Sequence, residues 1–338
     1  MKITSEEIAK LAHVSRSTVS RVINNYSNVP EDTRRKVMEV IQRYEYEPHS
    51  SARVLAGKAN KIIVLCISDY NDGSRRWRGV ESPFFMGLIA ELVSAANLHG
   101  YMISVSIVSS SGDYGKLENM FLNREVTAGI FIGFEFDFQM DTINQFIEKG
   151  FSMVVIDPGE DMKRADNVTG IYSEDEQAGY IASSYLLGQG HRRVAHLAGD
   201  NRLSSRHRLA GYLRAMREAG IQEDALWIRH GNFESELSYQ LAFELLSKRE
   251  AATAIFASND AMAVSAVRAA RDLHLRVPED IAVVGCDYTP FYETVGYHLT
   301  TIKISVRTLA NLAVKAALGL EPRRSLYCKA EFKPGITA

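Results

Sequence analysis

Cysteine is scarce in this chain, with three residues in 338: Cys66, Cys286 and Cys328. Their wide spacing makes neither a disulfide framework nor a metal-ligand pattern, and His191 has no His or Cys partner at ligand spacing. Long apolar runs are also missing. None approaches the ~18 residues that a membrane span needs. The opening Met1-Lys2-Ile3-Thr4-Ser5-Glu6-Glu7 lacks the apolar stretch of a secretion signal. Ala56-Gly57-Lys58 lacks the spacing of a phosphate-binding loop, and neither a Gly-x-Ser-x-Gly elbow nor a pair of catalytic carboxylates occurs. These absences predict a soluble, cytoplasmic protein that is not an enzyme and carries no cofactor or metal.

The chain has ordinary globular composition, 46% hydrophobic and 24% charged, and its length suits two or three domains. Its formal net charge of -2 hides an asymmetry. Residues 1–58 hold ten Lys and Arg against seven Asp and Glu, or +3; the remainder holds 29 against 34, or -5. A basic head on an acidic body fits a nucleic-acid contact at one end.

Local signals in the head are helical. Thr4-Ser5-Glu6-Glu7 reads as a capping box, in which the Thr4 hydroxyl takes the amide of Glu7 and the Glu7 side chain reaches back. A helix with Ile8, Ala9 and Leu11 inward follows and ends near His13. Ser15 is a good N-cap for a second helix that turns Val19, Val22 and Ile23 inward and Arg16, Ser17, Ser20, Arg21 and Asn24 outward. A third starts at Pro30 and runs through Val37, Val40 and Ile41 to about Tyr44. The pattern fits a helix-turn-helix, with a small helical bundle bearing a solvated face as the alternative.

The run Ile8-Ala9-Lys10-Leu11-Ala12-His13-Val14-Ser15-Arg16-Ser17-Thr18-Val19-Ser20-Arg21-Val22-Ile23-Asn24 resembles the DNA-binding head of the lactose/galactose repressor family. So do Thr33-Arg34, Tyr46-Glu47-Pro48 and Ala52-Arg53-Val54-Leu55-Ala56-Gly57. The resemblance implies that Arg16 and Ser17 read bases, while Thr18, Ser20, Arg21 and Asn24 hold the helix on bases and phosphates. Thr4, Ser15 and Ala52 join them as DNA-contacting positions. His49 to Ala56 would form a hinge helix whose Leu55 wedges into the minor groove. His13 stands at a turn position where relatives usually place Gly, and His tolerates left-handed backbone.

From Lys61 on, short apolar runs alternate with helical stretches. Strands are expected at Ile62–Ile67, Tyr101–Val108, Gly129–Ile132, Met153–Ile156, Val168–Ile171, Val194–Ala198, Ala254–Phe256, Ile281–Gly285 and Thr300–Lys303, with helices at Pro83–Leu98 and Leu117–Asn123 among others. That alternation predicts mainly parallel sheet, in two lobes because the strands are many for one. Ser82-Pro83-Phe84-Phe85, Gly188-Gln189-Gly190-His191-Arg192-Arg193, Arg208-Leu209-Ala210-Gly211-Tyr212, Ala257-Ser258-Asn259-Asp260 and Val277-Pro278-Glu279-Asp280 through Asp287 resemble the same family's sensor domain. The fold implied is a helix-turn-helix head plus an α/β sensor of two Rossmann-like, periplasmic-binding-protein-like lobes. The expected division is 1–47 for the head, 48–60 for hinge and linker, and 61–338 for the sensor. Its first lobe would take about 61–160 and 304–320, its second about 161–303 and 321–338.

Ligands in such sheets bind beyond the carboxyl ends of the strands. Ser68 and Asp69, Asp157, Asn259 and Asp287 follow strands there, and Arg208 opens the helix after Val194–Ala198. Carboxylates and an amide suit a polyol's hydroxyls, an Arg fork donates in pairs, and an aromatic covers a sugar ring. Phe233 is the candidate platform, or else core. Asp157 and Ser68 fit the cleft or a turn alike; the resemblance places Asn259, Asp287 and Arg208 in the effector cleft. Asp260 reads as a helix N-cap and His191 as a strand-entry cap.

Residues 70–82, with Arg75, Arg76, Trp77 and Arg78, make a longer link than relatives have. They are either a tolerated surface loop or a greeting for an anionic ligand. The partners implied are operator DNA, a sugar or sugar derivative, and a second copy of the chain in a homodimer. The carboxyl end shows no leucine heptads that would bundle dimers. The expected function is repression of a carbohydrate operon relieved by the effector; the alternative is a purine or protein co-effector that tightens the complex.

Overall fold

The computed structural model describes residues 3–23, 26, 28–44, 46, 60–71, 76–78, 82–108, 111–132, 137–159, 168–221, 227–248, 251–322 and 324–338. They fall into two units, 1–60 with 123–125, and the rest of the chain.

The first unit is built on three helices: Ser5–Leu11 (α1), Arg16–Ile23 (α2) and Glu31–Arg43 (α3). The capping box forms, with the Glu7 amide donating to Thr4 Oγ1 at 3.3 Å and the Thr4 amide to the Glu7 carboxylate at 2.7 Å. His13 takes the left-handed conformation (φ 53°) that turns the chain, and the Thr18 amide donates to Ser15 Oγ at 3.1 Å to open α2. Ile8, Ala9, Ala12, Val19, Val22, Val29, Val37 and Tyr46 make the core. Leu11, expected inside, is 45% exposed, and Ala12 takes its place. At 3.6 residues per turn a stripe centred between Ile8 and Ala9 passes through Ala12 and leaves Leu11 about 110° round the helix.

The second unit holds two sheets. The first consists of Ile62–Asn71 (β1), Arg76–Arg78 (β2), Met102–Val108 (β3), Ala128–Ile132 (β4), Ser152–Ile156 (β5), Thr169–Ser173 (β6) and Leu326–Cys328 (β12). Its parallel body runs β12-β6-β5-β4-β1-β3, and β2 folds back antiparallel on residues 69–71 of β1. The second consists of Val194–Ala198 (β7), Ile228–His230 (β8), Ala254–Ala257 (β9), Ala282–Asp287 (β10), Thr300–Ile304 (β11) and Ala330–Lys333 (β13). Its order is β13-β11-β10-β9-β7-β8, with only β13 antiparallel. Every residue of β4 and β10 is buried, as strands covered on both faces require.

Sheet membership moves the expected lobe boundaries. Thr169–Ser173 and Leu326–Cys328 were assigned to the second lobe and belong to the first sheet, because the chain leaves that sheet only after β6 and returns to it through β12. Strands β2, β8, β12 and β13 were not expected; at three or four residues they are too short to show a period. The 70–82 link is in part this ribbon rather than a simple loop.

Pro83–Leu98 (α4), Ser111–Leu122 (α5), Asp137–Glu148 (α6) and Val306–Ala317 (α12) are the helices that follow β1, β3, β4 and β11. Asp175–Gly188 (α7), Leu203–Glu218 (α8), Ser235–Leu246 (α9), Asp260–Asp272 (α10) and Pro290–Thr294 (α11) complete the unit. Helices α7 and α8 cross with their backbones nearly touching. A Cβ on Gly179 would lie 2.0 Å from the Arg208 carbonyl oxygen, and one on Gly211 2.0 Å from that of Glu176. The main chain passes between the sheets after Ser173, after Ile304 and after Cys328, and the crossings touch. The Glu174 amide donates to the Cys328 carbonyl at 2.9 Å, and Cys328 Sγ lies 3.7 Å from the Ser305 carbonyl. No helix among the described residues is long and apolar enough to cross a membrane.

Candidate functional site

Two surfaces carry the chemistry, one in each unit. In the first, α2 buries Val19 and Val22 and exposes Arg16, Ser17, Ser20 and Arg21, with Thr18 half-buried. Guanidinium groups and short hydroxyls on one helical face can reach base edges and phosphates together. Arg16 is steadied from α1, its Nε donating to Ser5 Oγ at 3.2 Å and its Nη1 lying 3.6 Å from Glu6. The hydroxyls of Thr4 and Ser15 are committed to capping α1 and α2, so these residues offer a backbone anion a helix N-terminus more than a free hydroxyl. Asn24, Ala52, Leu55 and the expected hinge helix His49–Ala56 lie outside the described residues.

In the second unit, Arg208 is the centre of a buried cluster. Its Nε donates to Asp175 Oδ1 at 2.8 Å, and its Nη1 donates to Asp287 Oδ1 at 3.2 Å and to the Ser258 carbonyl. Nη2 makes no bond among the described residues. Arg208 and Asp175 are 5% and 3% exposed, so the guanidinium is fixed by two carboxylates and a main-chain oxygen that water does not reach. The close crossing at Gly179 and Gly211 sets α8 deep enough for this. Asp287 sits at φ 110°, in the left-handed region, which turns its carboxylate at the end of β10.

Asp157, after β5, is also left-handed (φ 53°), and its Oδ2 accepts a hydrogen bond from Ser204 Oγ at 2.8 Å. Ser204 opens α8, so the bond joins a first-sheet strand end to a second-sheet helix. Register carries Ser68, buried at 1% exposure, level with Asp157: Ile67 pairs Ile132, and Ile132 pairs Ile156. Asp69 continues β1 into the ribbon, its main chain opposite Arg78.

Asn259 and Asp260 divide their work differently from the expectation. Asn259 caps α10, accepting from the Met262 amide at 2.9 Å. Asp260 is no cap. It is 2% exposed and ties the cleft floor together, Oδ2 accepting from the Thr289 amide at 2.7 Å and Oδ1 from Thr301 Oγ1 at 2.6 Å. The pairing of Phe256 with Val284 carries Asn259 level with Asp287. Phe233, left-handed at φ 60°, lies against Gly199, where a Cβ would fall 2.2 Å from its ring. The Arg202 guanidinium stands 4.5 Å from its ring centroid and is held by Asp200 at 3.0 Å. His191 meets Thr253 Oγ1 at 3.1 Å as α7 gives way to β7.

Burial dominates the electrostatics. It raises Asp157 to about 6, with Asp175 adding repulsion while Arg202, Ser204 and Arg208 pull the other way. Burial likewise raises Asp287, against the pull of Arg208, and it raises Asp260, where Asp287 adds repulsion. His196, wholly buried beneath the cluster, is pushed down to about 3 and stays neutral. The cleft therefore presents buried carboxylates, each holding at least one hydrogen bond, beside one fixed guanidinium. Asp175, Arg202 and Ser204 escaped the sequence reading although they follow the carboxyl ends of β6 and β7, because at a helix start each reads as an ordinary cap.

Residues 4–49 match a family described as bacterial regulatory proteins, lacI family, and residues 184–324 match a periplasmic binding protein-like domain. The HTH-type transcriptional repressor PurR of Pasteurella multocida (strain Pm70) is 30% identical over 318 residues, covering 92% of this chain and 90% of its own. The crystal structure of the Lac repressor dimer bound to operator and the anti-inducer ONPF matches with a TM-score of 0.77 at 26% identity, over 100% of this chain and 99% of that one. The transcriptional regulator CelR–cellobiose complex matches at 0.70 and 25% identity, over 99% of this chain and 100% of that one.

Proposed function

The chain belongs to the lacI family of bacterial regulatory proteins and binds DNA to regulate transcription; from that premise we propose that it represses a carbohydrate operon and leaves its operator when a sugar-like effector fills the cleft. One observation carries the reading. The Arg208–Asp175–Asp287 cluster faces Asp157 across the gap between the sheets, so paired donors and acceptors converge from both lobes. Vicinal hydroxyls bridge such groups, and closing the lobes on them changes the lobe angle that the head senses. The similar CelR structure holds cellobiose, which supports a sugar. In this reading Arg16, Ser17, Thr18, Ser20 and Arg21 read the operator, Ser68, Asp69, Asp157, Arg208, Asn259 and Asp287 hold the effector, and Phe233 covers its ring.

A homodimer places two α2 helices on a near-palindromic site. An apolar strip on the first sheet's edge supports it: Met102, Val105 and Ile107 on β3 and Met86, Val93 and Leu98 on α4 are all exposed.

The test is a thermal-shift panel of sugars, sugar acids, sugar phosphates and nucleobases, followed by anisotropy titration on DNA selected from a random pool. A ligand at ~100 times its Kd adds about 2.7 kcal/mol, enough to register. A sugar that stabilises the protein and loosens DNA carries the proposal. A ligand that tightens DNA replaces release with corepression, and a response to nucleobases alone ends the sugar reading.

A further inference from the structure

The amino ends of β10 and β11 face away from the cleft, and a second cavity lies there. The last turn of α10, the loop 275–279, the turn before β11 and the residues after β13 line a half-open groove of about 420 Å³. That is within the roughly 300–1,000 Å³ of small-molecule sites. Val267, Leu275, Val277 and Ile336 supply apolar wall, and Tyr297 an aromatic one. Ile336 is 65% exposed although its neighbour Thr337 is buried and bonded to Val283 and Thr300.

Charge in the cavity is uneven. Arg276 is committed, clamped by three hydrogen bonds of 2.8 Å to Asp280. Arg271 is not. Its guanidinium stands 5.3 Å from the Tyr297 ring centroid and meets no carboxylate among the described residues. A cation–π contact draws on the positive charge of a guanidinium and not on its N–H donors, so the ring can steady the fork and leave those donors available. With Arg276 paired to Asp280, the described lining leaves the Arg271 guanidinium and the Glu279 carboxylate, and His298 adds a further polar group.

We infer that this cavity is a second ligand site, separate from the cleft, for a compact aromatic carboxylate whose ring lies among Val267, Leu275, Val277 and Ile336 and whose carboxylate meets the Arg271 edge in a forked pair. The fork answers a planar two-oxygen anion, and the wall answers a flat apolar body.

Benzoate and its neutral isostere benzamide are the probes, titrated calorimetrically against the full-length protein at concentrations up to about 10 mM. Benzoate is expected to bind at least about tenfold more tightly than benzamide, the difference one charged pair makes. Arg271→Gln should reduce benzoate to the level of benzamide, and Ile336→Trp, which fills the mouth from an exposed position, should remove both. Both variants should keep the parent's melting temperature. Equal binding of the two probes, unchanged benzoate affinity in Arg271→Gln, or no benzoate binding in the parent would each overturn the inference.

Discussion

Ser204 donates to Asp157 across the cleft at 2.8 Å, and the two residues are anchored in different halves of the sensor. Asp157 ends β5 of the first sheet, while Ser204 opens α8, which packs on the second. The bond ties the two halves of the sensor together through a carboxylate that a ligand in the gap would also want.

Removing that bond should change the response more than the fold. Ser204→Ala deletes one hydrogen bond, worth about 1 kcal/mol, so the two halves are held together less firmly. Half-release of operator should then need about fivefold more effector, with the melting temperature little altered. Anisotropy titrations on operator would read it, and an unchanged midpoint would show that the bond does not restrain the lobes.

Asp287→Asn is expected to abolish the effector response while operator binding stays as in the parent. Asn suits the left-handed position better than Ala and removes only the charge. The Arg208 pair is weakened, so a loss of about 1–3 kcal/mol in urea stability should accompany it. A normal response in this variant would take Asp287 out of the site.

On the head, Arg21→Ala should weaken operator binding and lower the salt slope by about one, as for the loss of one phosphate contact. Thermal shift by effector should be untouched, because the two surfaces lie in separate units. Unaltered DNA affinity would displace α2 from the groove.

Acidity gives a fourth check. Burial holds Asp157 at about 6, well above its unfolded value of roughly 3.9. A carboxylate raised on folding contributes stability below its unfolded pKa and loses it as pH rises through the folded one. Hydroxyls donating to Asp157 would draw its pKa down, so binding should release protons and tighten from pH 5 to pH 7. Calorimetry near pH 6 in buffers of different ionisation enthalpy reads the sign. Proton uptake would mean that the ligand avoids Asp157.

Much of the scaffold was legible, for identifiable reasons. Thr4 and Glu7 stand at capping-box spacing, Ser15 precedes an apolar period, and Ile62–Ile67 is the unbroken run of a doubly covered strand. The strand-end rule pointed at Asp157, Asn259 and Asp287, which the fold brings to one gap. It was silent on Asp175 and Ser204, because a polar residue at a helix start looks like any cap. Asn259 and Asp260 exchanged roles for the same reason: either can cap α10, and only the third dimension puts Thr301 and the Thr289 amide beside Asp260. Gly179 and Gly211, inside helices, were the overlooked signal. Two glycines in successive helices allow main chains to meet, and that contact sets the depth of Arg208.

The three touching crossings near Glu174, Ser305 and Cys328 have a mechanical meaning. Strands tied side by side resist stretching and shear, yet each can change its torsion by a few degrees at little cost. The three contacts therefore oppose a rotation about the seam less than they oppose a separation of the halves. In the reading proposed above, a guest in the gap acts by setting that angle, so two quite different guests that enforce the same angle would give the same response.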